Sequence, residues 1–111
     1  MTMAIRSSRC LLGLAVLAVA CLLTLPALAQ DGGAKTYKAK CAGCHGADGV
    51  ATSAGKMMKA RDLCSDDVKK ETAAEMTDIV VKGKGKMPSY DKKLSDAEIK
   101  DVVAYVKSLC K

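Results

Sequence analysis

Three side chains that can bind a cofactor or a metal ion stand together at positions 41–45. Cys41, Cys44 and His45 form a C-x-x-C-H pentapeptide, and His45 is the only histidine in the sequence. At this spacing two thiols can form thioether bonds to the vinyl groups of a porphyrin, while the adjacent imidazole binds its iron. The pentapeptide therefore predicts covalent attachment of a c-type haem.

Two other chemistries use the same residue types. A thioredoxin-like dithiol requires a strand before the motif and a βαβ pattern around it, but residues 33–40 have a helical pattern. A structural zinc site would combine the two motif cysteines with Cys64 and either His45 or Cys110. Zinc ligands usually come as two closely spaced pairs, whereas Cys64 and Cys110 stand alone in the sequence. Haem attachment is the favoured interpretation.

The N-terminal segment has the pattern of a secretory signal peptide. Two arginines precede an apolar run at residues 11–23, and an A-x-A site ends at Ala29. We expect residues 1–29 to be cleaved, which leaves residues 30–111 as one domain. This places the mature protein in the periplasm, or in the thylakoid lumen if the organism is photosynthetic.

Two alternatives for this segment remain open. The apolar run could be retained as a membrane anchor, although Pro26 interrupts a stretch that is barely long enough to span a bilayer. Cys21 could instead be the lipidated cysteine of a lipoprotein, although the residues after it are still apolar. Contact with a membrane is expected only if the N-terminal segment is retained.

The composition of the mature domain indicates a small core. Its only aromatic residues are Tyr37, Tyr90 and Tyr105, so the polypeptide alone buries little apolar surface. A cofactor is therefore expected to complete the core. Removing residues 1–29 takes away two arginines and no acid, which lowers the formal charge from +6 to +4. With this modest charge and no aromatic platform, nucleic acid is not an expected partner.

The periodicity predicts an all-α domain of about four helices, and no segment alternates as a strand would. The helices are expected to run from Gly32 into the pentapeptide, after Ser65, from Thr72 to Gly83, and from Ser95 to the C-terminus. Thr72 and Ser95 are each followed three residues later by a glutamate, which is the pattern of a capping box. Loops are expected at residues 46–55 and 82–93.

Haem iron needs a second axial ligand, and the mature domain offers four methionines. Met76 falls on an apolar helix face, and Met57 and Met58 are close to His45 in sequence. Met87 is the best candidate, because glycines before it allow the backbone to approach the haem and a proline follows it.

Three segments together resemble the small class I c-type cytochromes of bacteria and photosynthetic organisms. They are C-A-G-C-H, K-G-K-G-K-M-P-S-Y and L-S-D-A-E-I-K-D-V-V-A-Y-V-K-S-L. The resemblance implies an all-α cytochrome c fold around one covalent haem, with His45 and Met87 as axial ligands. It also implies that the N- and C-terminal helices cross, with Gly33 and Tyr37 on one helix against Val102 and Tyr105 on the other.

With both axial positions filled, the expected function is one-electron transfer between redox proteins, not an enzymatic reaction. A haem-based peroxidase or gas sensor with a labile methionine ligand is the alternative. The expected partners are a membrane oxidoreductase or oxidase, or a photosynthetic reaction centre. The carrier itself is expected to be a monomer. The lysines that could guide docking to an acidic surface are Lys82, Lys84, Lys86, Lys92 and Lys93. These lysines could equally be a solvated face without a partner.

Cys64 and Cys110 are not part of the family pattern. Since an oxidising compartment favours pairing of an even number of thiols, we expect a disulfide between them. It would connect the loop after Leu63 to the end of the last helix. Two unrelated thiols, one of them linking dimers, are the alternative.

Overall fold

The computed structural model describes the backbone of residues 25–111 and the side chains from residue 31 onward. Most of the predicted signal peptide, including Cys21, lies outside the described residues. The helices are α1 Leu25–Lys40, α2 Ala42–His45, α3 Ser53–Met57, α4 Asp66–Lys69, α5 Ala73–Lys82 and α6 Asp96–Leu109. No strand occurs between residues 25 and 111, in agreement with the predicted all-α fold.

The predicted starts of α4, α5 and α6 are confirmed by their N-caps. At α6, the Ser95 hydroxyl accepts a hydrogen bond from the Glu98 amide at 3.2 Å, and the Glu98 carboxylate accepts one from the Ser95 amide at 2.8 Å. Thr72 and Glu75 form the same capping box at α5. These reciprocal bonds satisfy amide groups that the first turn of a helix leaves without partners.

The structure differs from the predicted helices at three places. The first helix begins at Leu25, before the predicted start at Gly32. It ends at Lys40, and the chain turns at Cys41 before the separate helix α2 begins. Helix α3 also occupies part of a segment expected to be a loop. It forms because the Thr52 hydroxyl caps it by accepting a hydrogen bond from the Gly55 amide at 3.0 Å.

Helices α1 and α6 cross as expected. A methyl group on Gly33 would lie 2.9 Å from Cβ of Tyr105 and closer still to the Asp101 carbonyl, so the two backbones touch at this glycine. Next to the crossing, the rings of Tyr37 and Tyr105 pack with centroids 5.3 Å apart and planes tilted by 51°. This contact fixes the end of α1, which leads directly into the pentapeptide.

The rest of the core is small, as the composition predicts. The hydrophobic residues buried between residues 31 and 111 are Tyr37, Ala51, Val68, Met76, Leu94, Ile99, Val102 and Val103. Met76 and Val103 pack together with Val68, which joins α4, α5 and α6. In the described part of the chain, no helix is long and apolar enough to cross a membrane.

Candidate haem-binding site

The pentapeptide folds as one tight turn followed by one turn of helix. The Cys41 carbonyl accepts hydrogen bonds from the amides of both Cys44 and His45, at 3.2 and 2.9 Å. Neither Cys41 nor Cys44 is in a disulfide. The local fold therefore leaves both thiols available for bonding and holds the imidazole next to the second of them.

The surroundings of these residues disfavour the two other chemistries. Burial raises the pKa of the Cys41 thiol to about 11, whereas a redox-active dithiol needs a lowered pKa. In the structure Cys64 is paired with Cys110 and not with the cysteines of the pentapeptide. Among the described residues, no group of three or more His, Cys, Asp or Glu side chains converges as a metal site.

The orientation of His45 is set by a main-chain carbonyl. Nδ1 of His45 lies 3.1 Å from the Arg61 carbonyl oxygen, which can only accept, so Nδ1 carries the proton. Nε2 is then the nitrogen left with a lone pair for a metal, and the hydrogen bond makes the imidazole a more basic ligand. The donor set therefore fits a haem iron.

The segment after the pentapeptide packs directly on its backbone. The Thr52 amide donates to the Cys44 carbonyl at 3.0 Å, and its hydroxyl donates to the Gly43 carbonyl at 2.8 Å. A methyl group on Gly55 would overlap the Cys44 carbonyl, so only glycine fits this position. This close packing brings the chain round to Arg61 and its carbonyl.

Tyr37 supports the motif from the core side. Its hydroxyl donates a 2.6 Å hydrogen bond to the Gly46 carbonyl, immediately after His45. Burial, followed by the neighbouring Cys41, raises the pKa of Tyr37 to about 12. Tyr37 therefore remains a protonated donor at any physiological pH.

Met87 lies in a short reversal of the chain after α5. The amide of each of Lys84 and Met87 donates to the carbonyl of the other, at 3.2 and 3.0 Å. Gly83 ends α5 with a φ of 75°, and a methyl group there would contact the carbonyl of Met87. The backbone of Gly83 thus lies against the loop that carries Met87, a position where a larger residue would not fit.

The other methionines have different environments. Met76 is buried in the core and is 8% exposed, as its position on an apolar helix face predicted. Met57 is 80% exposed on α3, close to the pentapeptide in sequence. Met87 remains the best candidate for the second axial ligand.

The five candidate docking lysines are all exposed. Two of them make contacts of their own: Lys82 pairs with Asp78 at 2.7 Å, and Nζ of Lys93 lies 5.5 Å from the centre of the Tyr90 ring. The other three, Lys84, Lys86 and Lys92, make no ion pair with a described residue. Two of these three, Lys84 and Lys86, flank the chain reversal that carries Met87.

The Cys64–Cys110 pair connects the loop before α4 to the end of α6. The two Cα atoms are 5.1 Å apart, within the range of a disulfide. Gly49 packs against the pair, because a methyl group there would lie 3.0 Å from Sγ of Cys64. The Leu63 amide also donates to the Gly49 carbonyl at 2.8 Å. The pair thus lies beneath the segment that follows the pentapeptide.

Comparison with known proteins identifies the family. A family model described as cytochrome c oxidase, cbb3-type, subunit III matches residues 28–106. Cytochrome c6 of Synechococcus sp. strain PCC 6312 is 35% identical over 98 residues, which cover 86% of each chain. The chain belongs to the small class I c-type cytochromes. This cytochrome accordingly carries covalently bound haem c and transfers electrons between redox proteins.

Two further relatives agree with this assignment. Cytochrome c6 of Nostoc sp. strain PCC 7120 is 37% identical over 98 residues, covering 86% of this cytochrome and 85% of the relative. The solved structure of the c-type cytochrome KustC0563 superposes with a TM-score of 0.67 at 28% identity, covering 71% of this chain and 98% of that one. The cytochrome c fold predicted from the sequence is confirmed.

Proposed function

We propose that this cytochrome is an exported one-electron carrier whose haem is bound through Cys41 and Cys44, with His45 and Met87 as the two axial ligands. The main support is the hydrogen bond from Nδ1 of His45 to the Arg61 carbonyl. This bond leaves Nε2 as the metal-binding nitrogen. An oriented imidazole beside two thiols that are not in a disulfide is the arrangement that haem attachment and iron binding require.

The bound haem c supplies an iron that gains and loses one electron. The Arg61 carbonyl fixes the orientation and tautomer of the His45 ring that would bind the iron. The Met87 thioether would be the second iron ligand, and a thioether ligand favours the ferrous state and a higher potential. With both residues bound, an external ligand would have to displace Met87. This arrangement supports a carrier and not an enzyme.

The ligand assignment is tested by replacing Met87 with alanine. The variant should lose the thioether-to-iron absorption band at the red end of the oxidised spectrum, because no other sulfur replaces Met87. Met58→Ala is the control and should keep the band. A band that persists in Met87→Ala would rule out this ligand. Rapid binding of carbon monoxide by the reduced wild-type protein would favour a gas sensor or peroxidase instead.

We further propose that the lysines of the Met87 loop guide docking to an acidic surface on a membrane oxidoreductase, an oxidase or a reaction centre. The two lysines next to Met87 at the loop tip, Lys84 and Lys86, are exposed and form no ion pair with a described residue. Their charges should attract an anionic partner and repel a cationic one.

Small redox ions of opposite charge test this docking surface. Reversing both charges with Lys84→Glu and Lys86→Glu should slow oxidation by ferricyanide about ten-fold at low salt and accelerate oxidation by a cationic cobalt complex. The control variant, Lys69→Glu with Lys70→Glu, makes the same change in net charge at the end of α4. Equal effects in both variants would mean that only net charge matters and that this loop is not the docking surface.

We also propose that residues 1–29 are removed on export, that the protein acts as a monomer, and that Cys64 and Cys110 are bridged in the oxidising compartment. Cleavage after Ala29 would remove the first turn of α1, which begins at Leu25, and would leave the crossing at Gly33 intact. N-terminal sequencing of the exported protein tests the cleavage site. A lipid-modified Cys21 would contradict it.

A further inference from the structure

The loop that carries Met87 is anchored mainly to the helix from which it emerges. After Met87, the Ser89 hydroxyl donates to the Val81 carbonyl, and the Tyr90 amide donates to the Val80 carbonyl at 3.0 Å. Both acceptors are in the last turns of α5. These bonds shape the loop, but they do not determine its position relative to the pentapeptide.

One hydrogen bond connects the Met87 loop to the end of α1, next to the pentapeptide. The Tyr90 hydroxyl donates to the Lys40 carbonyl at 3.2 Å, across 50 positions in sequence. Lys40 is the last residue of α1, immediately before Cys41. Among the hydrogen bonds of residues 31–111, this is the one that joins residues 83–94 to α1 or to the pentapeptide.

The acceptor is available because of the break in the helix at Cys41. In a continuous helix the Cys44 amide would donate to the Lys40 carbonyl, but here it donates to the Cys41 carbonyl at 3.2 Å. The last carbonyls of a helix need partners from elsewhere. The tight turn that forms the attachment motif thus creates the acceptor that Tyr90 uses.

The Tyr90 side chain is partly covered. Burial is the main cause that raises the pKa of Tyr90, so the phenol stays protonated and able to donate. Nζ of Lys93 lies 5.5 Å from the centre of the ring, in the range of a cation–π contact. The hydroxyl therefore donates from a partly covered ring to the residue that precedes the first attachment cysteine.

The geometry points to Tyr90 as a positioning residue that holds the Met87 thioether on the iron by hydrogen bonding its loop to the end of α1. This inference rests on the proposed ligation by Met87. Without the hydroxyl, the loop would keep its own shape but would move away from the pentapeptide more often. The state in which Met87 has left the iron would then be more populated, and external ligands would bind more readily.

Tyr90→Phe tests the inference, because it removes the hydroxyl and keeps the ring. Imidazole is the probe: its affinity for the oxidised holoprotein rises in proportion to the population in which Met87 is displaced. Loss of one neutral hydrogen bond predicts a roughly five-fold higher affinity. The thioether absorption band should remain in the variant, since Met87 is still the preferred ligand.

Ser108→Ala is the control. It also removes one hydroxyl-to-carbonyl hydrogen bond, which the Ser108 hydroxyl donates to the Tyr105 carbonyl at 2.7 Å within α6. It should leave the imidazole affinity unchanged. A role of Tyr90 in stability alone would give the same result as this control.

The outcomes separate this inference from the proposed ligation. If the wild-type protein lacks the thioether band, Met87 is not the ligand and both ideas fail. If the wild-type protein has the band but the imidazole affinity of Tyr90→Phe is within about two-fold of wild type, only the role of Tyr90 is refuted. A roughly two-fold change is less than the loss of a hydrogen bond predicts. Hydrogen exchange of the Met87 amide, faster in Tyr90→Phe than in Ser108→Ala, provides a second measurement.

Discussion

The Cys64–Cys110 disulfide should contribute a large part of the stability of this small domain. It joins residues 46 positions apart. In the chain-entropy treatment, closing a loop of that length removes about 14 cal/mol/K from the unfolded chain, which corresponds to ~4 kcal/mol at 25 °C. Since the whole free energy of unfolding of a domain is typically about 5–15 kcal/mol, this contribution is substantial.

The test replaces both cysteines together, Cys64→Ser with Cys110→Ser, so that no lone thiol remains. The free energy of unfolding of the oxidised holoprotein is measured by urea titration, followed by circular dichroism. We expect a decrease of ~4 kcal/mol and a melting temperature lower by roughly 15–30 °C. The urea dependence should become steeper, because an unlinked unfolded chain exposes more surface.

Reduction of the wild-type protein by a dithiol breaks the same link without changing the sequence, but it also reduces the haem iron. The double variant is therefore measured in the same dithiol, and the two ferrous proteins should unfold at the same urea concentration. A free energy of unfolding of the oxidised double variant within about 1 kcal/mol of oxidised wild type would refute the loop-entropy reasoning. Two alkylated thiols in the untreated exported protein would show that the bridge does not form.

Two further predictions concern the helices. Gly33→Ala should lower the free energy of unfolding by roughly 1–3 kcal/mol in a urea titration, because the added methyl group meets the Asp101 backbone. Gly32→Ala, where that methyl group would have only an ordinary contact at 3.5 Å, should not be destabilising. The pKa values of Glu75 and Glu98 are lowered, mainly because each carboxylate accepts a hydrogen bond from the backbone amide of its N-cap residue. The two carboxylates therefore stabilise the fold fully above pH 4.5, the ordinary pKa of a glutamate, and this stabilisation is lost as the pH falls through the lowered pKa values. Glu75→Gln with Glu98→Gln should therefore flatten the acid side of the stability curve measured by urea titration at a series of pH values, and an unchanged curve would contradict this assignment.

The features that were predictable from the sequence depend on residues close together in the chain. A capping box needs only a hydroxyl and a carboxylate three positions apart, so the start of α6 at Ser95 could be identified from its residues. The C-x-x-C-H motif is equally local. The crossing of α1 and α6 was different, because it followed from the resemblance to a known family and not from a pattern in the helices.

The remaining features of the site could not be predicted, because each depends on contact between distant segments. Helix α3 contains Gly55, a poor helix former, which is needed there because it packs on the Cys44 carbonyl. The acceptor at Arg61 and the one at Lys40 are main-chain atoms, which every residue has. Tyr90 was recognised only as one of few aromatic residues, since its partner is 50 positions away.

The bond between His45 and Arg61 has a consequence for how this protein can change by mutation. Because the acceptor is a backbone carbonyl, no replacement of a side chain at position 61 deletes it. The Arg61 side chain does something separate, an ion pair with Glu71 at 2.6 Å. The basicity and orientation of His45 therefore depend on the backbone path of the loop that contains residue 61, and the side chain at position 61 can change without removing this hydrogen bond. Mutations that alter the potential through His45 should be found where the loop is packed, at positions such as Gly55, and not at the residue that makes the bond.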